Sequence, residues 1–190
     1  LDSTSRWDIS DQSFVLGRLF FVQLNGTSSY FKTSRTFDNA TQLTVEAWVN
    51  LNSIQATAGA EPAIVASSAG IASPEEGAWM LYLDQGQYPA FRAREISGRG
   101  PNGYIGTVVS PYALTTTSDA TPIVDAHGEN WVHIAATVED GMVKLYVNGE
   151  EVARYNNTQA TAIRMLTTQH PIWIGVNPNG GIDAQDYLHA

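Results

Sequence analysis

The sequence predicts an all-β protein built as a two-sheet antiparallel sandwich. Helical periodicity is nearly absent from its 190 residues, and apolar strand-like runs alternate with clusters of Gly, Pro, Asn and Ser. One stretch, residues 131–155 (WVHIAATVEDGMVKLYVNGEEVARY), contains three such runs joined by two turn sequences. Alternation of apolar and polar residues along each run is typical of half-buried antiparallel strands.

The last two runs of this stretch are expected to form a hairpin. Asn148-Gly149 separates them and predicts a type I′ turn, in which both central residues adopt φ > 0. A two-residue loop would place Leu145 opposite Val152, and by the same count Val143 would face Arg154. The core-facing side chains are then Val143, Leu145, Val147 and Val152, and the outward-facing ones are Met142, Lys144, Tyr146, Glu151, Ala153 and Tyr155.

Further strands are expected along the chain. The segment 42–51 (QLTVEAWVNL) alternates most regularly and places Glu46 and Trp48 on its outward side. Gln85-Gly86-Gln87 predicts a second hairpin, and Asn25-Gly26 is a candidate for another tight turn. The other predicted strands are 17–24, 28–34, 78–84, 88–95, 103–110 and 170–176, and the predicted loops are 66–78, 97–103 and 111–130.

Composition limits the classes of function. Nineteen acidic residues against ten basic ones give a formal charge of −9, which disfavours nucleic acid as a partner because such binding neutralises phosphates with Lys and Arg. The absence of cysteine excludes disulfides, thiolate metal sites and cysteine catalysis. No run approaches the roughly eighteen apolar residues of a membrane helix. The length suits one domain over residues 1–190.

Four segments, in order, resemble the laminin-G-like branch of the concanavalin A-like lectin/glucanase superfamily. They are 22–33 (VQLNGTSSYFKT), 43–51 (LTVEAWVNL), 129–152 (ENWVHIAATVEDGMVKLYVNGEEV) and 171–181 (PIWIGVNPNGG). The resemblance covers roughly residues 20–190 and implies a jelly roll, with two antiparallel sheets packed face to face.

Members of this family often bind a structural calcium ion through acidic residues near the opening turn. The corresponding positions are Asn25 and Ser29, so both carboxylates are replaced, although Ca²⁺ favours carboxylate oxygens. Calcium therefore stays open as a cofactor, with Asn25 and Asp183 as its candidate ligands.

The family also closes with a final strand. Residues 186–190 (DYLHA) resemble the lead-in to that strand, after which this chain stops, although 181–187 (GIDAQDY) could be the strand itself. The first alignment leaves an unpaired sheet edge for residues 1–16 or another chain to fill. Residues 1–19 are thus expected to be an N-terminal extension or a first strand.

The sequence predicts no enzyme. Glycanases of this superfamily carry Glu-x-Asp-x-x-Glu along one strand, whereas residues 46–50 offer Glu46 alone. The four histidines lack metal-ligand spacing. His133 matches the family's strand histidine and is expected to be a packed, hydrogen-bonded imidazole.

Glycan binding is the leading functional hypothesis, because sugars are held by aromatic faces and by polar groups that pair with their hydroxyls. If the strands that carry them share one sheet, seven outward-facing residues would line a groove: Glu46, Trp48, Tyr82, Arg92, Arg94, Trp131 and Tyr146. Alternatively, Trp48 and Trp131 are structural tryptophans covered by loops.

The sequence thus predicts a non-catalytic binding or adhesion module that is extracellular, at a cell surface or on a particle exterior. The alternative is a structural subunit or decoration module whose partner is protein, including another copy joined through an open sheet edge.

Overall fold

The computed structural model contains eleven strands and no helix within the residues that it describes. The strands are β1 (Trp7–Asp8), β2 (Phe31–Lys32), β3 (Gln42–Asn50), β4 (Ala63–Ser67), β5 (Trp79–Asp84), β6 (Tyr88–Arg94), β7 (Tyr104–Val109), β8 (Trp131–Glu139), β9 (Met142–Val147), β10 (Glu150–Asn156) and β11 (Ile172–Ile174). The described residues are 7–8, 23–26, 28–33, 42–51, 60–67, 79–85, 87–94, 104–114, 131–139, 141–156, 171–178 and 188.

These strands form two sheets. One has seven strands in the order β1-β2-β11-β4-β5-β6-β7, and the other has four in the order β10-β9-β8-β3. Every pairing between described strands is antiparallel except that of β1 with β2. The predicted all-β, two-sheet antiparallel architecture is confirmed. In this described part of the chain, no helix is long and apolar enough to cross a membrane.

The two ends of the chain are described only in part. Within the first 19 residues the structure describes β1, which lies at the edge of the seven-stranded sheet beside β2. Near the other end Leu188 is buried in the core, and its amide donates to the carbonyl oxygen of Gly175 at 2.9 Å. The candidate closing strand, 181–187, lies outside the described residues.

The core lies between the two sheets and is built from one face of each. Side chains no more than 1% exposed come from both sheets: Leu81, Leu83 and Phe91 from the seven-stranded one, and Ile134, Val138, Val143 and Leu145 from the four-stranded one. The predicted faces of β9 are confirmed, and β8 alternates in a similar way, because the period of two places every second side chain inward.

The hairpin between β9 and β10 has the predicted turn. Asn148 and Gly149 have φ values of 50° and 81°, as a type I′ turn requires. The Asn148 side chain also lengthens the ladder, since its Oδ1 accepts from the amide of His133 at 2.9 Å.

The predicted register of this hairpin is wrong beyond the first two pairs. A β-bulge lies between Glu151 and Ala153, so that Ala153 lies opposite Leu145 in place of Val152. A bulge adds one unpaired residue to one strand, and no turn residue signals its presence.

Because of the bulge, the residues of β10 from Ala153 onward face the side of the sheet opposite to the predicted one. Tyr155, in place of the predicted Arg154, lies opposite Val143 and turns toward the other sheet. There its ring lies against Gly106 of β7. The ring fits because glycine has no side chain, and this contact joins the two sheets. Arg154 lies opposite Lys144 and faces outward.

The second predicted hairpin is confirmed. Asp84 of β5 lies opposite Tyr88 of β6, and the Gln87 amide donates to the Asp84 carbonyl oxygen at 3.1 Å. Asn25-Gly26, by contrast, does not join two strands directly, because residues 23–26 and 28–30 are irregular. Residues 17–22, the start of the predicted strand before it, lie outside the described residues.

Strand β4 is absent from the sequence prediction, which assigns residues 66–67 to a loop. Its outward-facing alanines belong to a small buried cluster on the outer face of the seven-stranded sheet: Ala63, Ala66, Met80, Tyr82 and Ala90. A strand buried on both faces shows no apolar–polar alternation, so the usual signal of a strand is missing.

The contact between Gly106 and Tyr155 gives a stability prediction. A Cβ at position 106 would overlap the tyrosine ring, with Cγ at 2.9 Å, so Gly106→Ala is expected to lower the free energy of unfolding by about 1–3 kcal/mol. Urea denaturation measures the loss. In a Tyr155→Ala background the same substitution should cost much less, and an equal cost in both backgrounds would show that the ring does not set it.

Candidate functional site

The outer face of the four-stranded sheet carries aromatic and charged side chains in rows set by strand register. In one row Trp48 of β3 lies opposite His133 of β8. In the next row Glu46 lies opposite Ala135, which lies opposite Tyr146 of β9. Residues of one row lie about 5 Å apart, and neighbouring rows are about 7 Å apart.

Trp48 is the most exposed aromatic residue of this face. Trp48 is 62% exposed, whereas the next residue, Val49, is buried in the core. The Trp48 ring leans on the imidazole of His133, with ring centroids 5.0 Å apart and the planes inclined by 38°. The interpretation that loops cover Trp48 is therefore wrong.

Glu46 and His133 are joined by a hydrogen bond. Glu46 Oε2 lies 3.2 Å from His133 Nε2, and the Glu46 side chain is 66% exposed against 20% for His133. The backbone of His133 is held in turn by Asn148, whose amide donates to the His133 carbonyl oxygen at 2.8 Å. The hydrogen-bonded imidazole expected at His133 is observed, and it contacts both the Glu46 carboxylate and the Trp48 ring.

The small side chain of Ala135 leaves a depression between two larger side chains of its row. It is 8% exposed and is flanked in its row by Glu46 and Tyr146. Trp131, also on β8, pairs with Asn50 and is half-buried. Sequence reasoning missed Ala135, since a small apolar residue on an outward-facing position carries no chemical signal of its own.

The described Lys and Arg side chains of this face lie toward the edge of the sheet opposite Trp48. Glu151 Oε1 accepts from Arg154 Nε at 2.5 Å, and Glu151 Oε2 lies 3.9 Å from Lys144 Nζ. Both positive charges therefore share one carboxylate at the β9–β10 edge.

The seven predicted ligand-binding residues are divided between two sheets, so they do not line one groove. Glu46, Trp48, Trp131 and Tyr146 lie on the four-stranded sheet, and Tyr82, Arg92 and Arg94 lie on the seven-stranded one. Whether a side chain faces outward follows from the alternation within its own strand. Which sheet the strand belongs to depends instead on its pairing with distant segments of the chain.

Tyr82 and Arg92 are held by their own neighbours. Tyr82 is 2% exposed, and the Arg92 guanidinium lies over its ring at 5.1 Å from the centroid. Arg92 also pairs with Glu61 at 2.9 Å, which compensates its charge. This arrangement stabilises the sheet surface and leaves little of the tyrosine to a ligand. The side chain of Arg94 lies outside the described residues.

Asn25 does not fit a calcium site as it is arranged. Its Oδ1 accepts from the amides of Ser28 and Ser29, each at 2.9 Å, and an amide oxygen has two lone pairs to offer. Asp183, the other candidate ligand, lies outside the described residues. Across the described ranges no group of three or more His, Asp or Glu residues is placed to hold a metal ion.

The exposure of Trp48 gives a prediction about its role in stability. Trp48→Ala is expected to lower the free energy of unfolding by no more than about 1 kcal/mol, because an exposed cross-strand contact is all that is lost. Ile134→Ala, a fully buried control on the paired strand, should cost about 2–5 kcal/mol. Chemical denaturation compares the two, and a similar loss in both would make Trp48 a structural residue.

Solved structures with a similar fold include sugar-binding modules. The CBM40 of the Ruminococcus gnavus IT-sialidase bound to α2,3 sialyllactose has a TM-score of 0.55 and 12% identity, covering 88% of this chain and 83% of that one. Domain 4 of AbnA, a GH43 extracellular arabinanase from Geobacillus stearothermophilus in complex with arabinotriose, has a TM-score of 0.50 and 17% identity, covering 87% and 65%.

The laminin domains themselves are also similar. Domains LG4-5 of the mouse laminin α1 chain give a TM-score of 0.51 and 14% identity, covering 88% of this chain and 39% of that one. At identities this low the likeness concerns the fold, and it supports the jelly-roll sandwich that the sequence resemblance implies. No curated protein matches the chain in sequence.

A family model of the laminin G type, described as the concanavalin A-like lectin/glucanases superfamily, matches residues 25–189. This span includes both sheets of the sandwich apart from β1. The chain therefore belongs to the laminin G family of the concanavalin A-like lectin/glucanases superfamily.

Proposed function

We propose that this chain is a non-catalytic glycan-binding module and that its binding surface is the outer face of the four-stranded sheet around Trp48. The proposal places the module outside the cell, at a cell surface or on a particle exterior. Glu46, Trp48, Trp131 and Tyr146 are the ligand-binding residues retained from the sequence prediction, and His133 and Ala135 complete the surface.

The exposed indole of Trp48 is the observation that carries the proposal. An aromatic ring that faces water across most of its area contributes little to the core, but it offers a flat apolar platform for the C–H face of a sugar ring. Glu46 and His133 lie beside that platform and pair with each other, so hydroxyl-binding groups are already in place.

The proteins of similar fold support the class of ligand. Two of them are solved with bound sugars, sialyllactose and arabinotriose, and one belongs to an extracellular enzyme. The proposed module is non-catalytic, because its sequence lacks the paired acids of the superfamily's glycanases and Glu46 is hydrogen-bonded to an imidazole instead of lying beside a second carboxylate.

The test is a glycan array probed with the purified chain, in calcium and again in chelator. We expect a specific hit that Trp48→Ala abolishes, since the stacking platform is removed. Tyr112→Ala is the matched control, because Tyr112 is also 62% exposed but follows β7 on the other sheet. Loss of the hit in chelator alone would make binding calcium-dependent.

A blank array in both conditions would contradict glycan binding. The alternative, a structural or decoration module with a protein partner, would then be tested by sedimentation of the chain over a range of concentrations. Self-association would favour assembly through a sheet edge.

A further inference from the structure

We infer that the Trp48 surface selects neutral sugars and discriminates against acidic ones. This inference rests on the proposed function, and it names the substrate class of the same site. It follows from the sign of the charge beside the platform and from the distance to the nearest opposite charge.

The polar groups beside the platform are the His133 imidazole and the Glu46 carboxylate to which it is hydrogen-bonded. Glu46 precedes Trp48 by two residues on the same face of β3, so their backbones lie about 7 Å apart. The Glu46 carboxylate is hydrogen-bonded to the imidazole that lies against the indole, so both groups share His133 as a neighbour. A sugar on Trp48 would therefore have the carboxylate at its edge.

A carboxylate in this position distinguishes sugars by their charge. An ionised carboxylate only accepts hydrogen bonds, and the hydroxyls of a neutral sugar donate to it in short, charge-assisted bonds. A sialic acid, a uronic acid or a sulfate ester would bring a second negative charge to the same place. Like charges across an interface oppose association.

Apart from His133, whose Nε2 is already paired with Glu46, no described Lys or Arg is near enough to reverse this preference. Lys144 lies two strands from β3 and four residues along the sheet from the Trp48 row, a separation of about 16 Å between backbones. This exceeds the screening length of about 8 Å at physiological ionic strength. Lys144 and Arg154 are also directed to Glu151, at the opposite edge of the sheet. Arg92 faces outward from the other sheet and pairs with Glu61.

The experiment compares related glycans with and without an acidic residue or group, such as lactose and 3′-sialyllactose, together with each neutral array hit and its sialylated or sulfated derivative. Affinities are measured by titration with the whole 190-residue chain. We expect the neutral member of each pair to bind about tenfold or more tightly when the acidic group lies on the sugar that occupies Trp48.

Two matched variants assign the discrimination to Glu46. Glu46→Gln keeps the size and a hydrogen-bonding group but removes the charge, so the ratio of neutral to acidic affinity should fall several-fold. Glu139→Gln removes the same charge from an exposed glutamate at the far end of β8, where it accepts from Gln42 Nε2 at 2.7 Å, and should leave the ratio unchanged.

The outcomes separate the two proposals. Preferential binding of acidic glycans that still depends on Trp48, or a ratio that Glu46→Gln does not change, would overturn the selectivity and leave glycan binding standing. Absence of any glycan binding, or binding indifferent to Trp48→Ala, would overturn both.

Discussion

The unbroken pairing of β3 with β8 is the constraint on which the rest of this sandwich depends. Nine consecutive residues of each strand are in register, from Gln42 opposite Glu139 to Asn50 opposite Trp131. This register directs the apolar set of both strands into the core and brings Trp48 beside His133. A slip of one residue would turn every side chain of one strand to the other face, so core and candidate site are specified together.

The two outer faces of the sandwich have different characters, and this difference locates the candidate site. On the seven-stranded sheet the outward alanines and Tyr82 are buried, and Arg92 is neutralised by Glu61. On the four-stranded sheet Trp48 and Glu46 stand in solvent. Aromatic and charged side chains therefore stabilise the outer face of one sheet and are available to a ligand on the other. The difference between these two roles lies in their exposure and not only in their chemistry.

The bulge in β10 shows how a local irregularity links the sheets. By exchanging the faces of the strand it sends Tyr155 toward Gly106 of β7 and leaves Arg154 to Glu151 on the outer surface. Bulges commonly increase twist and re-aim side chains in this way. Arg154 consequently joins Lys144 beside Glu151, so these two described positive charges of the outer face lie near the β9–β10 edge, away from the indole.

The sequence by itself determined the strands with alternating faces, the type I′ turn at Asn148-Gly149 and the outward position of Glu46 and Trp48, because side-chain period and turn conformation are properties of a few neighbouring residues. The four predicted ligand-binding residues on the four-stranded sheet have outward-facing positions for the same reason. Only the tertiary structure decided that Tyr82 and Arg92 belong to the other sheet, that β4 is a strand, that β10 contains a bulge and that Trp48 is uncovered. Each of these depends on which distant segments pair and what packs over them, and no local pattern in the chain encodes that choice.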